Sequence, residues 1–84
     1  MDMMYQRIPL DVVAIFTKEG TFTPKSVIFN DEQFDIIRVK SVRKYCPPGV
    51  GCFAPTEYTV IIDNQEKKLY LESNTNKWFS VKAI

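Results

Sequence analysis

The stretch EYTVIIDNQEKKLYLESNTNKWFSVKA (57–83) decides the fold, because short apolar segments alternate along it with polar turns. Within the segments 57–63, 68–72 and 77–83, apolar residues recur at every second position. This period is typical of β-strands that bury one face. Three such strands joined by short polar turns predict two consecutive antiparallel hairpins.

The apolar pattern also predicts how these hairpins pair. A two-residue turn at Asn64-Gln65 sets Val60 opposite Leu69, whereas a shift by one residue would mix apolar with charged positions. A three-residue loop at 74–76 then sets Leu71 opposite Phe79. The predicted inner face is made of Tyr58, Val60, Leu69, Leu71, Phe79 and Val81.

The same pairings place a second group of side chains on the opposite face of the sheet. The members of this group are Ile61, Lys68, Tyr70, Trp78 and Lys82. Two aromatic residues and two lysines on one outer face suggest a binding surface. The alternative is a minor core that the loop 46–55 or the N-terminal tail covers, because a small domain seldom leaves Trp and Tyr bare. The sequence leaves both interpretations open.

Upstream of this stretch, further extended segments recur about every ten residues, at 10–16, 25–29 and 34–42. The rhythm predicts one all-β domain over 1–84. The expected architecture is a small antiparallel SH3-like barrel, or a strongly bent meander sheet, of five to six strands. A flexible tail at 1–8 and a long Pro/Gly loop at 46–55 complete it. Segment 34–42 changes phase between Ile36 and Ile37, which indicates a bend or bulge.

Composition limits the functional classes. Eleven Lys and Arg residues against ten Asp and Glu residues give a net charge of +1, which argues against non-specific binding to duplex DNA. Histidine is absent, and with it the commonest general base and metal ligand. The three glycines form no phosphate-binding loop. We therefore expect no enzyme, no cofactor and no resident metal. The lack of an apolar run or signal peptide favours a cytoplasmic protein without a membrane span.

The motif CPPGVGC (46–52) holds both cysteines, Cys46 and Cys52. They stand at the base of a Pro/Gly loop, where a disulfide is one interpretation. Inert thiols that pack the loop are another, and the cytoplasmic assignment favours them. A zinc site would need two further ligands from a second protomer or from carboxylates.

The densest basic patch precedes this loop. It consists of Arg38, Lys40, Arg43 and Lys44, followed by Tyr45. Basic strands with stacking aromatics are typical of single-stranded nucleic-acid binders on small barrels. Tyr45, Phe53, Tyr70 and Trp78 are the candidate platform. The alternative is a solvated strand whose charges pair with Glu57, Glu66 and Glu72 on neighbouring strands.

The pattern EGTFTPKSVIFNDEQFDIIRV (19–39), followed by EYTVIID, LYLE and KWF, resembles a family of short uncharacterised bacterial proteins. More distantly, it is similar to a small β-domain appended to DNA-repair-associated, polymerase-like proteins. The resemblance covers about residues 9–82. It implies a small SH3-like β-barrel and no established activity, and the CPPGVGC loop is not part of the pattern.

Three functional hypotheses follow. The first is a non-enzymatic interaction module that binds a protein or peptide partner through the face around Lys68, Tyr70 and Trp78. The second is single-stranded nucleic-acid binding through the basic strand and its aromatics. The third is a thiol redox or metal role of Cys46 and Cys52. Both a monomer and a homodimer are compatible with the sequence, since an exposed sheet edge can be closed by a second copy.

Overall fold

The computed structural model describes residues 4–51 and 54–83 of the chain. These residues form one curled antiparallel sheet in the order β3-β2-β1-β7-β6-β5-β4. Its strands are β1 (Tyr5–Phe16), β2 (Phe22–Phe29), β3 (Glu32–Asp35), β4 (Arg38–Arg43), β5 (Pro55–Ile62), β6 (Gln65–Glu72) and β7 (Lys77–Ala83). The prediction of an all-β, strongly bent antiparallel fold is confirmed. The predicted number of strands is wrong, because the described part of the chain has seven.

The additional strand comes from the segment 34–42, which the sequence showed to change phase. β3 ends at Asp35 and β4 begins at Arg38, so the segment is two strands joined by a bend. Ile36 packs against the core, while the next residue, Ile37, is 69% exposed. The predicted bend is confirmed.

This bend also joins the two edges of the sheet. β3 and β4 lie at opposite edges, yet only residues 36 and 37 separate them along the chain. The amide of Ile36 donates to the carbonyl of Lys25 in β2, and the amide of Ile37 donates to the carbonyl of Ile61 in β5, each at 2.9 Å. The sheet therefore curls into a half-barrel.

Two β-bulges lie beside this bend. The β1–β2 pairing shifts so that Lys25 is the extra residue, and the β4–β5 pairing shifts so that Lys40 is extra. Bulges bend a strand and increase its local twist, as a tightly curled sheet requires. Both extra residues are exposed lysines, so neither bulge removes a side chain from the core.

The core lies on the concave side of the sheet. It comprises Val27, Tyr58, Val60, Ile62, Leu69 and Leu71, and partly buried residues from β1, β2, β3, β4 and β7 pack against it. Val60 is fully buried at its centre. Apolar burial stabilises a folded protein by roughly 25 cal/mol per Å², so these alternating β5 and β6 positions supply much of the driving force for folding.

The structure corrects the prediction of a flexible N-terminal tail. Residues 5–8, expected to be part of a flexible tail over 1–8, form the first part of β1. Tyr5 pairs with Ala83 and Ile8 pairs with Ser80 of β7. Their backbone groups are satisfied by the ladder between β1 and β7. The predicted loop 46–55 ends one residue earlier, because Pro55 begins β5.

The first hairpin differs from its predicted pairing but keeps its predicted face. Its turn is Asp63-Asn64, and both residues have positive φ angles, 51° and 60°, as a type I′ turn requires. Tyr58 therefore pairs with Leu69, and Val60 pairs with Lys67. This register is two positions away from the predicted one, and a shift of two leaves every side chain on the same face.

The second hairpin has a loop of four residues, 73–76, instead of three. The carbonyl of Glu72 accepts the amides of Thr75 and Asn76 at 3.2 and 2.8 Å, and Asn76 adopts a left-handed φ of 57°. Leu71 consequently pairs with Trp78, and Tyr70 pairs with Phe79. A shift of one exchanges the two faces of β7, so the predicted faces of Trp78 and Phe79 are wrong.

Candidate functional site

Trp78 and Tyr70 lie on opposite faces of the sheet, so the binding surface expected to combine them is not formed. Trp78 is half-buried on the core side, where its ring centroid lies 5.1 Å from that of Tyr58 and 6.4 Å from that of Phe22. Tyr70 is 3% exposed on the outer side. The alternative prediction of a minor core is confirmed for Tyr70, with Phe79 in the place assigned to Trp78.

This outer-face core is covered by the N-terminal half of β1 and by the 46–51 loop. Tyr70 stacks on Phe79 with a centroid distance of 5.4 Å, and the Arg7 guanidinium lies 4.6 Å above the Phe79 ring. Arg7 also forms a bidentate ion pair with Glu72, at 2.8 and 3.2 Å. The loop is fastened to β1, because the amide of Tyr5 donates to the carbonyl of Pro48.

Glu57 is the polar centre of the outer face. Its carboxylate is almost fully buried and accepts hydrogen bonds from Arg43 Nε at 2.6 Å and from the Tyr70 hydroxyl at 2.9 Å. Lys68 Nζ lies 3.6 Å from the same Oε1 that binds Arg43. Two cations therefore share one carboxylate.

The pKa values follow from these contacts. Burial raises the pKa of Glu57, but hydrogen bonds from Arg43 and Tyr70 and the charge of Lys68 outweigh it, so the pKa is lowered overall. Burial, followed by the hydrogen bond to Glu57, raises the pKa of the Tyr70 phenol. The hydrogen bond to Glu57 raises the pKa of Arg43. At neutral pH Glu57 is ionised and Tyr70 is a donor.

The basic strand is partly neutralised. Lys40 pairs with Glu66 at 2.8 Å and Arg43 pairs with Glu57, as the alternative interpretation of this strand predicts. Arg43 also lies 4.4 Å above the ring of Tyr45, on a face that a stacking base would need. Glu72 pairs with Arg7 of β1 rather than with this strand.

Arg38 begins β4, Lys44 directly follows the strand, and both residues are exposed. Phe53, another candidate stacking residue, lies outside the described residues. Binding of single-stranded nucleic acid therefore stays a prediction, and no contact in the described structure favours it.

The cysteine motif is described only in part. Cys46 is half-buried, with Sγ 3.6 Å from the carbonyl oxygen of Pro47, whereas Cys52 lies outside the described residues. Within residues 4–51 and 54–83, no three acidic, Cys or His side chains form a group able to hold a metal ion. The redox and metal interpretations of the loop stay predictions.

One concavity lies where β6 and β7 diverge, and the apolar pattern does not predict it. Their ladder covers three pairs, from Tyr70–Phe79 to Glu72–Lys77. Beyond it, the strands separate around a cavity of about 420 Å³, here called the inner cavity. Its walls are mainly apolar, and they comprise Ile8, Leu10, Val27, Phe29, Phe34, Ile62, Asp63, Gln65, Lys67, Lys68, Leu69 and Ser80.

A second concavity, the outer cavity, lies on the other side of the sheet and has a volume of about 250 Å³. It is lined by Tyr5, Arg43, Tyr45, Pro47, Glu57, Lys68, Tyr70 and Val81. Lys68 lines both cavities. The predicted binding residues Lys68, Tyr70, Arg43 and Tyr45 are thus brought together, whereas Trp78, Arg38 and Lys44 do not line it.

No protein-family model, curated protein or solved structure matches this chain. The resemblance to short bacterial β-proteins therefore stays a prediction, and the site has to be interpreted from its own geometry. In the described part of the chain, no helix is long and apolar enough to cross a membrane.

Proposed function

We propose that the protein is a non-enzymatic interaction module that binds an extended segment of a partner protein in the cleft between β6 and β7. The observation that carries this proposal is the divergence of two neighbouring strands around an apolar cavity. On the β5 side, Gln65–Leu69 are paired throughout. On the β7 side, the described ladder begins only at Tyr70.

A strand edge beside an apolar cavity suits an extended peptide. The peptide backbone pairs with the free amides and carbonyls of the strand, and its alternate side chains fill pockets, as in known cases of strand addition. The inner cavity, at about 420 Å³, lies within the range of about 300–1,000 Å³ that is usual for ligand sites. It is large enough to take one or two apolar side chains of the partner.

The outermost strands are poorer candidates for strand addition. β4 carries Arg38, Lys40 and Arg43, and Lys40 sits in a bulge. Charged residues and bulges are the features by which sheets prevent pairing at their edges. β3 is short, and it carries Glu32 and Asp35. The β6 edge also carries charges, at Glu66, Lys67 and Lys68, but an apolar cavity lies beside it.

The test is a selection of randomised dodecapeptides displayed on phage against the folded protein. Ser80 is half-buried and lines the inner cavity, so Ser80→Trp fills the cleft. Ser41→Trp places the same side chain on an exposed position of β4 and is the matched control. We expect selected peptides to bind the wild type and the control, and to lose binding to Ser80→Trp.

Amide chemical shifts locate the binding. The proposal expects the largest changes at 65–69 and 80–82. It is refuted if no peptide is enriched, if the peptides bind Ser80→Trp as well as wild type, or if the shifts map to another surface. Thermal unfolding of both Trp variants verifies that each is folded before binding is compared.

A further inference from the structure

We infer that the cleft selects partner segments in which an acidic residue stands between two apolar residues. This inference rests on the proposed function and specifies the chemistry of the partner. It follows from the two cavities that lie on opposite sides of the same strand edge. Each cavity has its own chemistry, and an added strand presents its side chains to both.

The alternation of side chains in β6 defines the arrangement. Lys67 and Leu69 line the inner cavity, whereas Tyr70 lines the outer one, and Lys68 reaches both. Successive side chains of any strand point to opposite faces of its sheet. A strand that pairs with 65–69 therefore directs one side chain into the inner cavity, the next into the outer cavity, and the third into the inner cavity again.

The inner cavity requires apolar side chains. Leu10, Val27, Phe34, Ile62 and Leu69 form much of its wall, and an unpaired charge placed among them would lose its hydration without compensation. Its charged residues are Asp63, Lys67 and Lys68, and all three are exposed. The two partner residues that point inward are thus expected to be apolar.

The outer cavity favours an anion. Glu57 is the one carboxylate among its described lining residues, and it faces two cations, Arg43 and Lys68. Lys68 Nζ also donates a hydrogen bond to a neutral group, the hydroxyl of Thr59, at 3.1 Å. Its side chain is 45% exposed, so its ammonium can turn toward a bound carboxylate without unfolding anything. A carboxylate gains from this excess of positive charge, and a partner lysine is repelled.

Synthetic octapeptides test the inference. The first has a core of isoleucine, glutamate and isoleucine between serine and threonine flanks. Two matched peptides replace the glutamate by glutamine or lysine, and a fourth exchanges the glutamate with a neighbouring isoleucine. We expect the glutamine peptide to bind about two- to fivefold more weakly than the glutamate peptide, as for one half-exposed ion pair. The lysine and exchanged peptides are expected to be weaker still.

Variants of the protein identify the responsible cation. Lys68→Gln is expected to erase the difference between the glutamate and glutamine peptides. Lys18→Gln makes the same change of net charge in the exposed β1–β2 turn and is expected to preserve the difference. Far-UV circular dichroism establishes that both variants are folded. A glutamate preference that survives Lys68→Gln overturns the assignment.

The outcomes separate the two proposals. Equal affinity of the glutamate and glutamine peptides, with binding still abolished by Ser80→Trp, overturns the acidic specificity and leaves the peptide-binding function intact. Failure of these peptides and of every peptide from the selection overturns the function itself. Self-association of the protein that Ser80→Trp abolishes in sedimentation experiments would identify a second copy as the occupant and also overturn the inference.

Discussion

At the scale of a single residue, Glu57 organises the polar contacts of the outer face, because its buried carboxylate accepts hydrogen bonds from Arg43 and Tyr70. Glu57→Gln keeps an acceptor for the Tyr70 hydroxyl but removes the charge, whereas Glu57→Leu removes both. We expect the free energy of unfolding to fall by about 1 kcal/mol for Gln and about 2–4 kcal/mol for Leu. Urea unfolding followed by Trp78 fluorescence measures both changes.

The control for this prediction is Glu66→Gln. Glu66 also pairs with a cation, Lys40 at 2.8 Å, but both side chains are half exposed to water. Exposed ion pairs contribute little to stability, so this variant is expected to unfold like the wild type. A loss at Glu66 as large as that at Glu57 would contradict the role of burial.

Acid is expected to lower the free energy of unfolding through protonation of Glu57. The folded-state pKa of Glu57 lies below its ordinary value of 4.5, so the folded protein binds fewer protons than the unfolded chain in this range. The stability due to ionised Glu57 is complete above that ordinary value and is lost as the pH falls through the folded-state pKa. Urea midpoints measured from neutral pH to about pH 3 should therefore fall more steeply for wild type than for Glu57→Gln. Parallel curves would contradict the prediction.

At the scale of the element, the loop 73–76 decides which side of β7 faces the core. Its closing residue, Asn76, has a left-handed φ of 57°, whereas Asn74 in the same loop does not adopt a positive φ. In the left-handed conformation, a residue that is neither glycine nor asparagine is strained by roughly 1 kcal/mol. Asn76→Ala is therefore expected to lower the free energy of unfolding by about 1 kcal/mol. Asn74→Ala is the matched control with little expected effect. Equal losses would contradict the assignment of the turn.

The two hairpins show how far sequence reasoning reaches. The inner face of β5 and β6 was predicted correctly although the turn was misplaced, because a shift of two positions preserves the alternation. The faces of Trp78 and Phe79 were wrong because one additional loop residue reverses them. Nothing in an apolar–apolar pair such as Trp78-Phe79 distinguishes the two faces. The choice lies in the backbone bonds of Glu72 to Thr75 and Asn76, which the apolar pattern does not reveal.

At the scale of the whole molecule, the cleft between β6 and β7 is the feature that the sequence predicts least. Periodicity predicts strands and faces, but where two paired strands diverge depends on how tightly the entire sheet curls. The residues of the cleft accordingly look like ordinary strand residues: Lys67 and Lys68 are followed directly by Leu69 and Tyr70. The sequence identifies the basic strand and Tyr70 as candidates for binding. It does not reveal that Arg43 and Tyr70 meet at Glu57, because that contact depends on the fold.

The curl of the sheet depends on the bend at residues 36 and 37, which yields a final prediction. Ile37 is 69% exposed, and its contribution is its amide, which donates to Ile61 of β5. Ile37→Pro removes that donor and leaves the Ile61 carbonyl without it, whereas Ile37→Ala keeps the hydrogen bond and loses only an exposed side chain. We expect the proline variant to be less stable than the alanine variant by about 1–3 kcal/mol.

Urea unfolding followed by Trp78 fluorescence and by far-UV circular dichroism measures this difference. Because residues 36 and 37 connect the two edges of one sheet, the two signals are expected to change together in both variants, as in a two-state transition. Equal stability of the proline and alanine variants would show that this amide does not hold the edges together. Separate transitions in the wild type would show that β1–β3 and β4–β7 unfold independently, and the bend would then be a linker rather than a closure.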